Sequence, residues 1–155
     1  MPEKEFKIKF MGAEIVSKMI AQPSQEILDK PQNFNFDFLV DVKVSAEKKS
    51  AVAVTDISIT DITKSKNLAV FKTICVFELP DFDKYFTKVG GKQYDIDIDL
   101  EIILKSTGIS TTRGMVVSEL RGTYLHNAIL PLVDMAKLVR DGRDKKEKEK
   151  KNKSA

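Results

Sequence analysis

The sequence predicts a single α+β domain in which antiparallel strands come first and helices come last. Apolar and polar residues alternate along residues 33–46, 51–63 and 94–104, which is the pattern of strands with one buried face. Residues 110–138 instead contain a helical apolar stripe, a glycine and a second helix start. With 155 residues, of which 42% are apolar, the chain can bury one core, and no internal segment is typical of a linker.

Five segments are predicted to form strands. Residues 5–10 are a candidate edge strand. Residues 33–46 form a half-buried strand, whose apolar face carries Phe34, Phe36, Phe38, Val40, Val42 and Val44. In residues 51–63 the apolar residues move from even to odd positions and back at Ile62, which indicates bulges or bends. Residues 68–79 are apolar on both faces, which predicts a central strand that is covered twice.

The fifth segment, residues 94–104, follows a predicted hairpin turn at Gly90-Gly91. Its apolar residues alternate with acidic ones, so a strand here has one acidic face exposed to water. That face carries Asp95, Asp97, Asp99 and Glu101.

The last third of the domain predicts two helices joined by an apolar crossover. The first helix runs from N-cap candidates at residues 110–112 to Gly122, which ends it in the left-handed conformation. Residues 123–133 are more apolar than an ordinary loop, and Pro131 keeps them extended. We therefore expect this segment to lie on an apolar surface, and we expect Asp134 to cap the second helix.

Charge is segregated along the chain. Residues 140–155 hold eight Lys or Arg against four Asp or Glu, whereas the other 139 residues carry 18 positive and 19 negative charges. We therefore divide the chain into a domain of residues 1–139 and a charged, disordered or fraying helical tail of residues 140–155. A lone Cys75, no signal-peptide pattern and no apolar run long enough for a membrane helix predict a cytoplasmic protein without membrane insertion.

Residues 121–124 are Arg-Gly-Thr-Tyr and are followed by Pro131, Val133 and Asp134. Together with the order of the elements, this motif resembles the SecB-like chaperone family. In that family an Arg-Gly-Thr-aromatic turn ends the helix, and an apolar stretch leads to Pro-Val-Asn or Pro-Val-Asp. Here Leu132 is inserted between the proline and the valine. The resemblance covers residues 6–138. It implies a four-stranded antiparallel sheet followed by a long helix, an extended crossover loop and a second helix, assembled as a homotetramer, a dimer of dimers.

The resemblance further implies an ATP-independent holdase that binds unfolded or export-bound polypeptides in apolar grooves and needs no cofactor. Methionines and extended apolar loops can repack around varied client side chains. Core packing is the alternative role for each candidate. The candidate groove residues are Met115, Tyr124, Leu125, Ile129, Leu130, Leu132, Val133 and Met135.

Two narrower partners follow from the resemblance. Export-type members meet the translocase SecA, and the acidic face of residues 95–101 is a candidate docking surface for a basic partner, with a solvated sheet face as the alternative. The Lys-Glu tail has no obvious counterpart in the SecA-binding members, which weakens that partnership. Other SecB-like proteins serve one client, such as the antitoxin of a toxin-antitoxin-chaperone system.

Other classes of function have less support. His126 is the only histidine and has no nucleophile at a motif spacing, and Cys75 lies in the middle of a predicted strand, so we expect no catalytic residue. Carboxylates along one strand are about 6.6 Å apart, too far for one tight metal site. A nucleic-acid-binding module would stack bases on the Phe34 strand, but no Lys or Arg is interleaved there. An assembly subunit with a permanently filled groove is the remaining alternative.

Overall fold

The computed structural model describes residues 3–25, 33–62 and 66–154. Thr63 and Ala155, which end the predicted third strand and the predicted tail, lie outside this part of the chain. The elements, in chain order, are β1 (Lys9–Ile20), β2 (Phe34–Ser45), β3 (Ser50–Asp61), β4 (Asn67–Glu78), α1 (Phe82–Tyr85), β5 (Phe86–Gly90), β6 (Gln93–Ile96), α2 (Ile98–Leu120) and α3 (Met135–Lys153).

The first four strands form an antiparallel sheet in the order β1-β4-β3-β2. The long helix α2, a crossover of residues 121–134 and α3 then follow, so the predicted α+β class and arrangement are confirmed. The predicted first strand does lie at a sheet edge. It begins at Lys9 rather than at residue 5, however, and it continues to Ile20, with two register shifts along β4.

The alternation in β2 is confirmed by its pairing with β3. Phe36, Phe38 and Val40 stand opposite Ile59, Ile57 and Thr55, and all six side chains belong to the side of the sheet on which α2 packs. β4 is central, as predicted, but only one of its faces is buried. Its other face carries Val70, Ile74 and Val76, which are half-buried and belong to neither apolar cluster of the described residues.

No bulge lies at the first predicted shift of the apolar pattern, from residue 54 to residue 57, where β3 pairs regularly with both neighbours. The one irregularity, toward β4, lies between Ile59 and Thr60 and agrees with the second predicted shift, before Ile62. Ala51, Ala53 and Thr55 continue the buried row of the two isoleucines at 57 and 59. The shift in the apolar pattern arises because small residues occupy the buried side where a helix comes close.

That close approach occurs at Gly108, in the middle of α2. A Cβ atom placed on Gly108 would lie 3.0 Å from the Cβ of Ala53 and 3.6 Å from Oγ1 of Thr55. One turn later the Thr112 hydroxyl donates to the Gly108 carbonyl at 2.8 Å and shares a hydrogen bond of 2.5 Å with the Thr73 hydroxyl of β4. Small side chains and this buried hydroxyl pair therefore hold the helix directly against the two central strands.

The strand predicted for residues 94–104 is wrong beyond Ile96. After the Gly90-Gly91 turn, which forms a hairpin as predicted, β6 is only four residues long, and α2 begins at Ile98 rather than near residue 110. The Asp97 carboxylate caps α2 by accepting from the Asp99 backbone N–H at 2.9 Å. Alternating Ile, Leu and acidic residues suit this helix start because Leu100 and Leu104 are four apart and both buried, while acidic residues favour a helix N-terminus.

The helix α3 is attached to the start of α2 by an ion-pair cluster, which we call the Glu101 clamp (Glu101, Lys105 and Arg143). Arg143 donates through Nε and Nη2 to Oε2 of Glu101 at 3.0 and 2.5 Å, and Lys105 lies 2.8 Å from Oε1. Arg143 Nη2 also donates to the backbone carbonyl of Ile96 at 2.8 Å. Burial alone raises the pKa of the Glu101 carboxyl, but the hydrogen bonds from Lys105 and Arg143 outweigh burial and lower this pKa overall.

Replacing Gly108 tests the close packing. Gly108→Ala should lower the free energy of unfolding by about 1–2 kcal/mol, because the added methyl meets a Cβ fixed to a central strand and this outweighs the better helix propensity of alanine. Gly114→Ala is the matched control in the same helix, since nothing lies within 4 Å of its added Cβ. This control should stabilise by about 0.5–1 kcal/mol. Urea unfolding gives both values, and equal effects of the two changes would contradict the packing argument.

Acid titration tests the Glu101 clamp. A carboxyl whose pKa is lower in the folded chain stabilises the fold fully above its unfolded pKa of about 4.3, and this contribution is lost as the pH falls through the folded value. Glu101→Gln should therefore cost about 1–3 kcal/mol of unfolding free energy at pH 7 and should reduce the loss of stability between pH 7 and pH 3. Asp95→Asn, at an exposed position nearby, should leave the pH dependence almost unchanged. The same acid profile for Glu101→Gln and the parent would refute the clamp.

Candidate functional site

The crossover starts at a turn that is built by the side chain of Thr123. Gly122 has a φ of +79°, so it takes the left-handed conformation that was predicted to end the helix. The Thr123 hydroxyl donates to the Leu120 carbonyl at 2.7 Å and accepts from the Leu125 backbone N–H at 3.1 Å. The Leu120 carbonyl also accepts from the Thr123 backbone N–H at 3.0 Å, so these bonds close the end of α2 and turn the chain back toward the sheet.

A hydrogen bond from Tyr124 fixes the crossover to the end of β1. Its hydroxyl donates to the Ala21 carbonyl at 2.8 Å, and burial raises the pKa of this phenol. At the far end, the Asp134 carboxylate accepts from the Lys137 backbone N–H at 3.1 Å and caps α3, as predicted. Both ends of the crossover are therefore held by specific polar contacts.

Between these anchors, buried and exposed apolar side chains interleave. Leu125, Ala128 and Leu130 are at most 2% exposed and join the larger apolar cluster with residues of β2, β3, β4 and α2. Ile129 is 59% exposed and Leu132 is 86% exposed. The crossover thus covers the core with one set of side chains and presents another set to solvent.

The predicted groove residues fall into three groups. Leu125, Leu130 and Met135 are buried core residues, whereas Tyr124 and Val133 are partly buried and pack against the same cluster. Met115 is half-buried on α2 and lies outside that cluster. Only Ile129 and Leu132 present most of their side chain to a ligand. The structure therefore brings five of the eight together as core, and leaves two as an accessible pair.

Sequence reasoning missed other exposed apolar side chains. Leu138 on α3 is 46% exposed, and Ile103 on α2 is also exposed. No sequence pattern distinguished Leu138 from the buried Met135, because residues three apart in a helix lie on the same side. The edge strand β1 exposes four large apolar residues, and a shallow open depression of about 380 Å³ beside it is lined partly by Met11, Ile74 and Val76.

The four acidic candidates do not form one strand face. Asp95 is exposed in β6, Asp97 caps α2, Asp99 lies in its first turn, and Glu101 belongs to the clamp. Lys4 Nζ lies 3.0 Å from Asp97 and 3.3 Å from Asp99. Burial raises the pKa of Asp97, but the hydrogen bonds from Lys4 and from backbone N–H groups lower it overall. Asp97, Asp99 and Glu101 therefore hold the N-terminal segment and the start of α2 in place, and a docking role for all four carboxylates stays a prediction.

The remaining reactive side chains are not arranged as a catalytic group. His126 is exposed, and its Nδ1 lies 3.0 Å from the Thr123 carbonyl, while Cys75 is buried and burial raises the pKa of its thiol. Among residues 3–25, 33–62 and 66–154, no three His, Cys, Asp or Glu side chains are grouped to hold a metal ion. In the same residues, no helix combines the length and apolar character that crossing a membrane requires.

Comparison with known proteins supports the fold. No protein family model and no curated protein matches this sequence. Among solved structures, the chain is similar to the Mycobacterium tuberculosis SecB-like chaperone Rv1957 in complex with a ChAD peptide from the HigA1 antitoxin. The two chains are 11% identical, the TM-score is 0.52, and the match covers 83% of this chain and 86% of the mycobacterial one. The resemblance drawn from the sequence is therefore confirmed at the level of structure, and the chain has the SecB-like fold.

Proposed function

We propose that this protein is an ATP-independent holdase chaperone of the cytoplasm that binds unfolded polypeptides and uses neither a cofactor nor a catalytic residue. The observation that carries the proposal is the crossover, which is anchored at both ends and nevertheless exposes Ile129 and Leu132. Exposed apolar side chains on a fixed backbone favour ligands that contribute apolar side chains and differ in sequence. Clients would cover these two residues together with Leu138.

A dedicated chaperone of one antitoxin is the second candidate. The mycobacterial protein of similar fold was solved with an antitoxin peptide, which supports a partner of this kind here. The two candidates differ in the range of clients. Suppression of aggregation for several unrelated unfolded proteins favours the general holdase, and suppression for one client alone favours the dedicated chaperone. SecA as a partner rests on the sequence resemblance only.

We also propose that the chain assembles as a homotetramer, a dimer of dimers. The edge strand β1 has no partner on its outer side among the described strands, and it exposes Phe10, Met11, Val16 and Met19. A long edge strand with free backbone groups and apolar side chains is a surface that soluble proteins ordinarily cover. A second copy would cover it symmetrically.

Substituting the exposed pair tests client binding. Ile129→Asp with Leu132→Asp should change the unfolding free energy by no more than about 0.5 kcal/mol, because both side chains are largely in solvent. Client affinity should fall at least about tenfold, since covering one such side chain contributes about 1.5–3 kcal/mol. The measurement is light scattering of an unfolded, aggregating protein diluted into increasing amounts of the chaperone without ATP.

The matched control carries the same chemical change elsewhere. Val89 in β5 and Leu39 in β2 are 67% and 65% exposed, and Leu39 faces the side of the sheet opposite the crossover, so Val89→Asp with Leu39→Asp places two aspartates at comparable exposure elsewhere. This variant should hold clients as well as the parent does. If both double variants lose activity equally, the loss reflects general charge and the crossover is not the client surface.

Sedimentation velocity tests the assembly. The parent chain should sediment as a tetramer, and Val16→Lys should shift it toward smaller species, because a charge at the middle of β1 opposes its burial against another copy. Val89→Lys is the control and should leave the sedimentation coefficient unchanged. A tetramer that persists in Val16→Lys would exclude β1 as the contact.

A further inference from the structure

The outer half of α3 differs from the half that packs on the body. Met135 and Val139 are buried and Arg143 belongs to the Glu101 clamp, but every residue from 144 to 154 is exposed. We call the helical residues 144–153 the arm. At about 1.5 Å per residue, the arm extends about 15 Å beyond Arg143.

The spacing of its charges stabilises the arm as a helix in water. Asp144, Glu147 and Glu149 each have a lysine four positions later, which is the order of charges that stabilises an isolated helix. Lysines at 150, 151 and 153 lie in the last turn, where positive charge is favourable. The arm is therefore a helical extension of α3 that is exposed along its whole length.

Two lysines lack an acidic residue four positions before them. These are Lys146 and Lys150, whose nearest acidic neighbours on the helix surface, Glu149 and Glu147, lie three positions away. They lie seven and eleven residues after Val139, so they continue along the body-facing side of α3. With six lysines against three acidic residues, the arm has a net charge of +3, whereas residues 1–139 have a net charge of −1.

We infer that the arm is a docking surface for an acidic stretch of a client polypeptide, next to the apolar segment that the client places on the crossover. This inference rests on the proposed chaperone function. Its support is the positive charge of the arm and the position of exposed Leu138 on the same helix, eight residues before Lys146 and about 80° from it around the helix axis. Eight helical residues span about 12 Å, a distance that about four extended residues of a client cover.

A nucleic acid is a less suitable occupant of the arm. Binders of single strands combine a basic groove with aromatic side chains on which bases stack. Phe34, Phe36 and Phe38, which lie in the aromatic-rich strand β2, instead pack against the apolar core on the α2 side of the sheet. The acidic residues interleaved with its lysines also leave the arm without the continuous basic groove of such binders.

The test uses fluorescent peptides and the full chain. All four peptides carry the same uncharged apolar segment. In three of them it is followed directly by about four acidic residues, by serines or by lysines. In the fourth, about twelve residues separate the apolar segment from the acidic block. Fluorescence anisotropy gives Kd in low salt and in about 0.5 M salt. The adjacent acidic peptide should bind about three- to tenfold tighter than the serine peptide in low salt, and this preference should disappear in high salt.

Charge reversal assigns the preference to the arm. Lys146→Glu with Lys150→Glu should abolish the preference for the acidic peptide and leave the Kd of the serine peptide unchanged. Lys88→Glu with Lys92→Glu, on the exposed β5–β6 hairpin, makes the same charge change elsewhere and should preserve the preference. Equal affinity of acidic and serine peptides, or a preference that survives the arm variant, overturns the inference.

Failure of the proposed function gives a different result. If the serine peptide does not bind at all, the chaperone proposal fails and this inference fails with it. If the serine peptide binds and the adjacent and separated acidic blocks behave alike, only the docking geometry at the arm is refuted. A short single-stranded RNA that binds the arm more tightly than the acidic peptide would assign the arm to nucleic acid and overturn the inference.

Discussion

The structure depends on the close contact between the middle of α2 and the two central strands. Gly108 and Ala53 let the helix backbone approach β3, and the Thr73–Thr112 hydroxyl pair satisfies polar groups that would otherwise be buried without partners. Because interiors are close-packed, this contact fixes where both ends of a 23-residue helix lie. One end receives the Glu101 clamp, and the other starts the crossover.

The crossover follows from this placement. α2 ends beside the last residues of β1, so Tyr124 can reach the Ala21 carbonyl, and Arg143 can return to the first turn of the same helix. The chain between these two anchors has to cross the apolar cluster, and it buries Leu125 and Leu130 on the way. Ile129, between the buried Ala128 and Leu130, remains on the outer side, and Leu132 is exposed after Pro131.

This arrangement assigns the stability of the crossover and the proposed client binding to different residues of one segment. Side chains that hold the crossover to the core are different residues from those that face solvent, so a ligand can cover the exposed set without disturbing the buried one. Apolar exposure of this kind is costly to solubility and is ordinarily retained where another molecule covers it. The charged arm of α3 projects from the same helix that carries Leu138, which places an apolar surface and a basic surface next to each other along one axis.

The sequence by itself determined the α+β class, the strands β2 and β4, the Gly122 helix stop, the Asp134 cap and the apolar character of the crossover, because each depends on local periodicity or on one residue's backbone preference. Two predictions, the strand at residues 94–104 and the first bulge in β3, were wrong because one local pattern is compatible with two structures. Residues 94–104 suit a strand and a helix start equally in their alternation, and the small residues of β3 imitate a bulge until Gly108 is known to face them. Only the tertiary structure decided which crossover residues are core and which are exposed. Apolar composition indicates that the segment packs on an apolar surface, but the packing of α2 decides which of its side chains are buried.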